Sequence, residues 1–274
     1  MCGCVCDDLR VTTDGQRVTK AEGACSLAEP WFQSQNAVHP PNAEIDGVAA
    51  EVASAFDRAA ELLRAARYPL IFGLSRSTTE GQRAATALAD RIGATIDTTA
   101  STGHAPSLIA LQQVGESTST LGEVKNRADL VIFWGSDPVR THPRHLERYS
   151  LEVRGRWVPR GRADRFLVVV DEQETETAKL ADLFIRVPPG KHWETLWELR
   201  MLCRNSDVSG RRIAATGGPV GSAANLRDLA DRMKACRCGT VFFGSGLTQG
   251  KVAHRTIEAL LQLVTDLNLH TRFY

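Results

Sequence analysis

The run Phe166-Leu-Val-Val-Val-Asp171 constrains the fold of this 274-residue chain more than any other feature. Its apolar residues are continuous rather than alternating, which indicates a strand covered on both faces, as in the centre of a parallel sheet. Shorter β-branched runs alternate with helical stretches along most of the chain, and this alternation is typical of α/β proteins. We therefore expect an α/β fold: mainly parallel sheets with flanking helices.

The same patterns predict the other elements. Helices are expected where apolar residues recur at helical spacing: Val48–Ala66, Thr79–Ile92 (capped by Thr78 or Thr79), Leu121–Ala128, His192–Cys203, Leu226–Cys236 and Val252–Leu267. Strands are expected at Tyr68–Leu74, read as a buried strand, and at Ala94–Asp97, Asp129–Gly135, Leu183–Val187 and Gly239–Gly244. The segment Leu9–Val18 resembles a hairpin that turns at Asp14-Gly15.

Three regions are expected along the chain. Residues 1–47 are less regular and contain a cysteine cluster, so they predict a small irregular N-terminal lobe. Residues 48–204 predict an α/β domain, and residues 205–274 a further α/β segment of a second domain. The segment Asn205–Ser222, rich in Gly, Arg and Ser, is the candidate interdomain excursion or mobile loop.

Composition narrows the class of protein. The net charge of +1 gives no electrostatic reason to expect nucleic acid or an anionic membrane as partner. No apolar run approaches the roughly 20 residues that span a bilayer, and the N-terminus lacks the order of a signal peptide. Seven cysteines, an odd number, suit thiols in a reducing compartment or metal ligands. We expect a cytoplasmic protein.

The crowded cysteines Cys2, Cys4 and Cys6, together with Cys25, are the strongest metal signal. Iron–sulfur clusters take four thiolates, and spacings of two to four residues let one loop supply most of them. The alternative is a loop of reduced cysteines that binds nothing.

Two strand ends are candidate ligand sites. Trp134-Gly135-Ser136-Asp137 follows a strand, and the amides of such a glycine turn bind phosphates. Asp171 also ends a strand, where a carboxylate suits hydroxyl or amino donors. Equally, the glycine turn is a common connection, and Asp171 could cap a helix starting near Thr175.

Three histidines are candidates for acid–base or metal chemistry: His104, His142 and His145. For His104 the alternative is a buried histidine with local hydrogen bonds. His142-Pro-Arg-His145 and Arg148 concentrate positive charge at a helix start, which suits anion binding or a subunit contact. Lys125, Asn126 and Arg127 are assigned structural roles. The chain has no Gly-x-Ser-x-Gly elbow, Walker loop or His-Glu-x-x-His helix, so classical hydrolysis and phosphoryl transfer have no candidate residues.

The stretch Thr95–Tyr149, with Ser101-Thr-Gly-His-Ala-Pro-Ser107 and Leu121-Gly-Glu-Val-Lys-Asn-Arg-Ala-Asp129, resembles the catalytic B subunit of formylmethanofuran dehydrogenase. That family belongs to the molybdopterin oxidoreductases and carries a tungsten- or molybdenum-pterin. The resemblance implies a molybdopterin-oxidoreductase-like fold and places Gly103 where the family has its metal-binding cysteine, next to His104. Glycine has no side chain to bind a metal, so we expect the scaffold to be kept and the redox chemistry lost.

The resemblance also gives meaning to the other candidates. Gly135, Ser136 and Asp137 would lie near the pterin dinucleotide, with Asp137 in place of an asparagine. Asp171 would recognise guanine or ribose, although Gln173 stands where the family has arginine. The family's N-terminal motif, Cys-x-x-Cys-Gly-x-x-Cys-Asp-Asp, matches Cys2 and Cys6, and Cys25 matches its later cysteine. The resemblance implies that these three are relic ligands of a [4Fe–4S] cluster: the first cysteine would precede Met1, and Cys4 is additional.

Loss of the metal cysteine selects one branch of the family. The chain is most similar in this respect to the B subunit of the bacterial formyltransferase/hydrolase complex, which moves formyl from formyl-tetrahydromethanopterin to a methanofuran-type carrier and releases formate. The resemblance implies a non-redox structural subunit in one-carbon (formaldehyde) oxidation, without a cofactor of its own. Its partners would be an amidohydrolase-like subunit, a formyltransferase subunit and a third structural subunit. Family members also continue beyond the region matched by Asp266-Leu-Asn268.

Two other functions stay open. The chain could be a working tungsten- or molybdenum-pterin subunit of formylmethanofuran dehydrogenase, with other ligands at the metal. It could also be a free-standing nucleotide-binding module, which only the glycines at the strand ends favour.

Overall fold

A computed structural model describes residues 2–35, 40–204 and 223–274 of the chain. The segment 205–222, expected as an excursion or loop, lies outside the described residues. No helix of the described residues is long and apolar enough to cross a membrane.

The described residues form eleven strands and nine α-helices. The strands are β1 Arg10–Thr13, β2 Val18–Glu22, β3 Glu44–Ile45, β4 Val48–Ala49, β5 Leu70–Gly73, β6 Thr95–Thr98, β7 Leu130–Trp134, β8 Phe166–Asp171, β9 Leu183–Arg186, β10 Cys238–Phe243 and β11 Arg272–Phe273. The helices are α1 Glu29–Gln33, α2 Val52–Ala65, α3 Thr79–Ile92, α4 Ser101–Val114, α5 Leu121–Arg127, α6 Pro138–Thr141, α7 His192–Cys203, α8 Ala223–Ala235 and α9 Ala253–Leu267. A π-helical turn, Leu146–Ser150, follows α6, and two 3₁₀ turns lie at Gly161–Asp164 and Ala178–Leu180.

The main sheet has five parallel strands in the order β11-β10-β7-β8-β9. All five residues of the central strand β7 are buried, as are the four middle residues of β8. Side chains that alternate along these strands enter two separate cores, one on each face of the sheet. Helices α7, α8 and α9 supply most of the first core. The interpretation of Phe166–Asp171 as a central parallel strand, and of the chain as an α/β protein, is confirmed.

The chain divides into two compact units. The first contains residues 1–10, 22–31 and 103–274, and the second contains residues 11–21 and 32–102. These units differ from the boundaries expected at 47/48 and 204/205. The reason is that the chain builds two separate parallel sheets: β7–β11 belong to the first unit, and β5 and β6 to the second.

The second unit is thinly packed around its parallel pair β5–β6. The expected strand Tyr68–Leu74 exists as Leu70–Gly73, but the prediction that it is buried is wrong: Leu70 is 58% exposed and Phe72 is 61% exposed. Helix α2 is amphipathic in sequence, yet it has no buried residue. No layer of the described residues covers these apolar side chains.

Most predicted elements are confirmed to within a few residues, and α3, α7 and β8 match at both ends. The Thr78 side chain accepts from Gly81 N and caps α3. At Asp14 the hairpin turns as expected, because its carboxylate accepts from the two amides of Gln16 and Arg17. One helix is shorter than predicted: Val48–Ala49 forms a strand with Glu44–Ile45.

Candidate functional site

The main sheet reverses its strand order between β7 and β10. From β7 the chain moves outward through β8 and β9, and then returns to the other side of β7 with β10 and β11. In open parallel sheets, ligands bind in the crevice at the carboxyl ends of the strands where the order reverses. The loops that follow Trp134 and Phe243 flank this crevice, so it is the first candidate site.

The two flanking loops, 135–137 and 244–246, are in direct contact. Gly246 N donates to Gly135 O at 3.1 Å. A Cβ atom on Gly244 would lie 2.5 Å from Gly135 O, and one on Gly246 would lie 2.8 Å from Gly135 Cα. Because no side chain fits in those gaps, glycine is required there by the contact between the loops, independently of any ligand.

Asp137, which stands where the resembling family has asparagine, has structural partners. Its Oδ1 accepts hydrogen bonds from Thr177 N (3.1 Å) and from the Thr177 hydroxyl (2.6 Å). The Thr177 hydroxyl in turn accepts from Val139 N at 3.2 Å. The carboxylate therefore joins the loop after β7 to the turn after β8.

Asp171 lies at the carboxyl end of β8, as predicted. Its Oδ1 accepts from Gln173 N at 3.3 Å. The alternative role as a helix cap is not found, because the amide of Ala178, which begins the next turn, donates to the Thr175 hydroxyl instead (Ala178 N to Oγ1, 3.1 Å). Asp171 thus closes a short turn and is only partly buried.

A histidine that the sequence did not single out lies at the same edge of the sheet. His192, the first residue of α7, is 5% exposed, and its Nδ1 accepts from the indole N–H of Trp134 at 3.0 Å. Its Nε2 lies 3.4 Å from Glu172 Oε1, which also accepts from Gly190 N. Burial holds the pKa of His192 below its usual range, so the ring is neutral and its Nε2–H faces Glu172.

The second candidate site is formed by the cysteine-bearing segments of the first unit, residues 2–10 and 22–31. The Arg144 guanidinium binds both carboxylate oxygens of Asp8, at 2.7 and 2.6 Å, and also Gly23 O at 2.9 Å. Arg148 binds Asp7 and Asp8. The cations expected to bind an anion or a subunit therefore bind the chain's own N-terminal carboxylates, and Arg144 holds the Asp8 pKa at about 2.

The segment that carries these arginines is anchored in the core by His145. Its ring is 7% exposed and packs against the rings of Phe133, Phe242 and Tyr149, and its Nδ1 lies 3.0 Å from the Ser150 hydroxyl. Burial, with a smaller effect from His142, lowers the His145 pKa to about 4. The lowered pKa and the packed ring favour a structural role for His145 in the segment that carries Arg144 and Arg148.

Gly103 and His104 lie in the first turn of α4. His104 is exposed, and its side chain makes no hydrogen bond to a described residue, so the alternative of a buried, hydrogen-bonded histidine is wrong. A Cβ atom on Gly103 would meet no described atom within 4 Å. No neighbouring side chain replaces the one that glycine lacks.

Structural contacts are found for the three residues to which the sequence assigned structural roles: Lys125, Asn126 and Arg127. Asn126 Oδ1 accepts from Arg156 N, and its Nδ2 donates to Gly122 O. Lys125 O accepts from the buried guanidinium of Arg165, and Arg127 pairs with Glu123.

Comparison with known proteins shows what the chain is similar to. It is 38% identical over 279 residues to the B subunit of the tungsten-containing formylmethanofuran dehydrogenase 2 of Methanocaldococcus jannaschii, and 37% identical to that of Methanococcus maripaludis. Each match includes 99% of this chain and 63% of the relative. Over nearly its whole length the chain is similar to the B subunits of tungsten-containing formylmethanofuran dehydrogenases. It spans less than two thirds of the length of these relatives.

A bacterial member of the family is also similar. The B subunit of the formyltransferase/hydrolase complex Fhc from Methylorubrum extorquens is 28% identical over 240 residues, which are 84% of this chain and 57% of that subunit. The chain is thus similar to both branches, and its identity is higher with the dehydrogenase subunits. No family model matches the chain.

Two solved structures superpose on the chain. The crystal structure of the M. extorquens formyltransferase/hydrolase complex with methylofuran superposes with a TM-score of 0.62 at 26% identity, covering 84% of this chain and 58% of that chain. Acetylene hydratase from Pelobacter acetylenicus superposes with a TM-score of 0.57 at 13% identity, over 78% of this chain and 32% of that chain, and shows the fold alone.

The family's two metal groups fit this chain differently. For the pterin-bound metal, Gly103 offers no side-chain ligand atom, and a Cβ there would have no described atom within 4 Å. For the iron–sulfur group, ligands of the right chemical type are present, because Cys2, Cys4, Cys6 and Cys25 are all free thiols. No three Cys, His, Asp or Glu side chains within the described ranges are placed to hold one metal ion.

Sequence reasoning missed three parts of these sites: His192, Tyr149 and the loop 244–246. A signal for two of them was present, because Gly244-Ser-Gly246 and Pro188-Pro-Gly-Lys-His192 each follow a predicted strand, as the Gly135 turn does. The role of Tyr149 as a hydrogen-bond donor to the Cys4 carbonyl depends on a contact between residues 145 positions apart.

Proposed function

We propose that this chain is a non-redox structural subunit of a formyltransferase/hydrolase complex in one-carbon (formaldehyde) oxidation. The observation that carries the proposal is Gly103, which lies in open space at the position of the family's metal-binding cysteine. The chain supplies a scaffold, and its own residues perform no step of the reaction.

In this proposal the complex transfers formyl from formyl-tetrahydromethanopterin to a methanofuran-type carrier and hydrolyses it to formate. The chemistry belongs to an amidohydrolase-like subunit and a formyltransferase subunit, and this chain joins them together with a third structural subunit. Support comes from the second unit, where exposed apolar side chains such as Phe56 (71%), Leu70 and Phe72 suit burial in an assembly. Glycine contacts at the strand ends and the structural partners of Asp137 support a scaffold that holds its shape without a cofactor.

The test is purification of the complex without oxygen, followed by analysis for tungsten and molybdenum and assay of formyl transfer. We expect formyl transfer by the complex, none by the isolated chain, and neither metal. Formyl transfer by the isolated chain would contradict the scaffold role.

A second candidate function is supported by the higher identity with the tungsten-containing dehydrogenase subunits. In that case the complex would contain tungsten or molybdenum bound through ligands other than residue 103, and it would oxidise formylmethanofuran with a viologen as electron acceptor. Gly103→Cys separates the two candidates, because its Cβ meets no described atom and the variant should fold normally. Metal gained only by Gly103→Cys would identify the missing thiol as the cause of the loss.

A further inference from the structure

The segment 151–165, which joins the π-helical turn to β8, is strongly basic, and we call it the arginine segment. It contains five arginines and two acidic residues, a formal charge of +3, whereas the whole chain carries +1. It ends directly before β8, so this end lies at the amino ends of the strands, on the edge of the main sheet opposite to the crevice. A partner bound there would leave the crevice free.

A buried arginine holds the arginine segment in one shape. Arg165 is 4% exposed, and its guanidinium donates to Leu151 O at 3.0 Å and to Lys125 O at 2.7 Å. It also binds Val153 O. A buried charge is costly unless hydrogen bonds satisfy it, and three carbonyls bind this one. They connect both ends of the segment to the helix that precedes β7.

Backbone contacts fix the middle of the arginine segment. Arg156 N donates to Asn126 Oδ1 at 3.1 Å, and Trp157 N donates to Asn126 O at 2.9 Å. A Cβ atom on Gly155 would lie 2.1 Å from Lys125 O, so only glycine permits this approach. The segment is therefore ordered before any partner binds, and a preordered surface binds at a lower entropic cost.

A half-exposed tryptophan lies in this ordered stretch. Trp157 is 48% exposed, and the guanidinium carbons of Arg127 and Arg156 each lie 5.5 Å from the centroid of its ring. Its carbonyl accepts from Arg237 at 3.4 Å. Tryptophan and arginine are enriched among the residues that dominate the binding energy of protein interfaces. The indole thus has the surroundings of an interface residue.

Two arginines of the segment have no carboxylate partner among the described residues. Arg154 and Arg156 are exposed, and neither side chain makes an ion pair or a hydrogen bond to a described residue. Neighbouring carboxylates are paired with other arginines: Asp129 with Arg237, Asp164 with Arg160 and Glu123 with Arg127. Glu152, which is also exposed, offsets one charge at most. A positive charge therefore remains beside the indole.

We propose that Arg154, Arg156 and Trp157 form a docking site for an acidic segment of a partner subunit. The proposal rests on the proposed function, in which this chain joins other subunits, and it names the chemistry that one of them presents. That segment carries carboxylates that pair with the two arginines, next to an apolar side chain that packs on the indole. The charges speed association and fix orientation, and the tryptophan supplies contact area.

A protein partner fits this surface better than a nucleic acid or a membrane does. Proteins that bind nucleic acid neutralise many phosphates along a groove or stripe of cations. Here the net charge of the chain is +1, and the unpaired arginines of the segment are two on one short stretch. An ordered aromatic residue flanked by arginines is the composition of a protein interface core.

The test compares complexes that contain the wild-type chain, Arg154→Glu/Arg156→Glu or the control Arg227→Glu/Lys251→Glu. The control changes the net charge equally, at exposed residues outside the arginine segment. Native mass spectrometry reports which subunits remain bound as salt is raised. We expect Arg154→Glu/Arg156→Glu to weaken one subunit contact by at least about 100-fold, and the control to keep it.

A second variant tests the tryptophan. Trp157→Ala keeps the main-chain bonds of residue 157 but removes the indole, and it should weaken the same contact by about 30-fold. A benzophenone side chain placed at position 157 of the full chain should crosslink to an acidic segment of that subunit. Exchanging the carboxylates of the crosslinked segment for lysines should then restore binding to Arg154→Glu/Arg156→Glu. A variant that was merely misfolded would not be rescued in this way.

Three results would overturn the proposal: normal assembly of the Arg154→Glu/Arg156→Glu complex, a crosslink to a second copy of this chain, or a crosslink to a segment without carboxylates. Binding of an RNA oligonucleotide or of phosphatidylserine vesicles at about 150 mM salt, lost only in the arginine variant, would also overturn it. Thermal unfolding checks that each variant is folded. If Arg154→Glu/Arg156→Glu does not fold, Arg154→Gln/Arg156→Gln provides the comparison.

Failure of the docking site and failure of the proposed function are distinguishable. The docking site is tested by subunit composition and crosslinking, whereas the scaffold role is tested by tungsten, molybdenum and formyl transfer. A complex that contains tungsten would contradict the non-redox role and leave the docking site unaffected. A complex that transfers formyl but assembles normally with Arg154→Glu/Arg156→Glu would contradict the docking site alone.

Discussion

The chain builds two parallel sheets from similar sequence patterns, and they differ in what covers them. In the first unit, β7 and β8 lie between two apolar cores, and Phe133 is 1% exposed. In the second unit, β5 and β6 pair in the same parallel way, yet Phe72 is 61% exposed. Local periodicity specifies a strand and its direction of pairing in both cases. Burial depends on additional layers, which only the first unit contains among the described residues.

The largest expected effect is on the free energy of unfolding, and it follows from comparing Phe133 with Phe72. Phe133→Ala should lower the free energy of unfolding by about 3–5 kcal/mol, because it empties a packed position in the core. Phe72→Ala should change it by less than about 0.5 kcal/mol in the isolated chain, as for an exposed residue. Urea denaturation measures both. A loss at Phe72 similar to that at Phe133 would mean that another layer covers β5 in solution.

Acidification should destabilise the first unit through His145. Its pKa is about 4 in the folded chain against 6.5 ordinarily, so the unfolded chain binds the proton more readily. Stability is therefore retained above pH 6.5 and falls as the pH drops from 6.5 to 4, by up to about 3 kcal/mol. Denaturation at pH 7 and pH 4.5 measures this slope, and His145→Gln should flatten it. Since burial also lowers the His192 pKa, some slope remains in the variant.

Two glycines of the candidate sites differ in the space around them: Gly244 is tightly packed, whereas Gly103 has no described atom within 4 Å of an added Cβ. Gly244→Ala should destabilise by about 1–3 kcal/mol, because its Cβ would lie 2.5 Å from Gly135 O. Gly103→Ala should instead stabilise by about 0.5–1 kcal/mol, because it is helical and the added methyl meets no described atom. Thermal unfolding of the two variants tests both signs. Destabilisation by Gly103→Ala would indicate that this position is covered.

The smallest expected effect concerns the contact of Asp8 with Arg144. The arginine lowers the Asp8 pKa to about 2, so the contact stabilises the folded loop at neutral pH and is lost as the pH falls from about 4 towards 2. Limited proteolysis should then cut the segment 2–10 faster at pH 2.5 than at pH 5 with an acid-tolerant protease. In Asp8→Asn the segment should be cut at the faster rate at both pH values. Equal rates in the wild type and the variant at pH 5 would show that the pair does not hold the loop.

Much of the fold could be predicted from sequence, but less of the sites. The helix Thr79–Ile92 and the strand Phe166–Asp171 are encoded locally, by an N-cap threonine and by a continuous apolar run. By contrast, Trp134 and His192 are 58 positions apart and meet only after the sheet forms. Resemblance correctly indicated similarity to formylmethanofuran dehydrogenase B subunits, and it marked Gly103, whose open surroundings only the structure could show.

By itself, the sequence determined the α/β class, the limits of most elements and the lack of a metal-binding side chain at residue 103, since these follow from residue identity and local periodicity. Tertiary structure decided the rest. It placed the switch between β7 and β10, left β5 exposed, and brought Arg144 to Gly23 and Tyr149 to the Cys4 carbonyl. The physical reason is that burial and long-range hydrogen bonds depend on which surfaces meet, and no local pattern encodes that meeting.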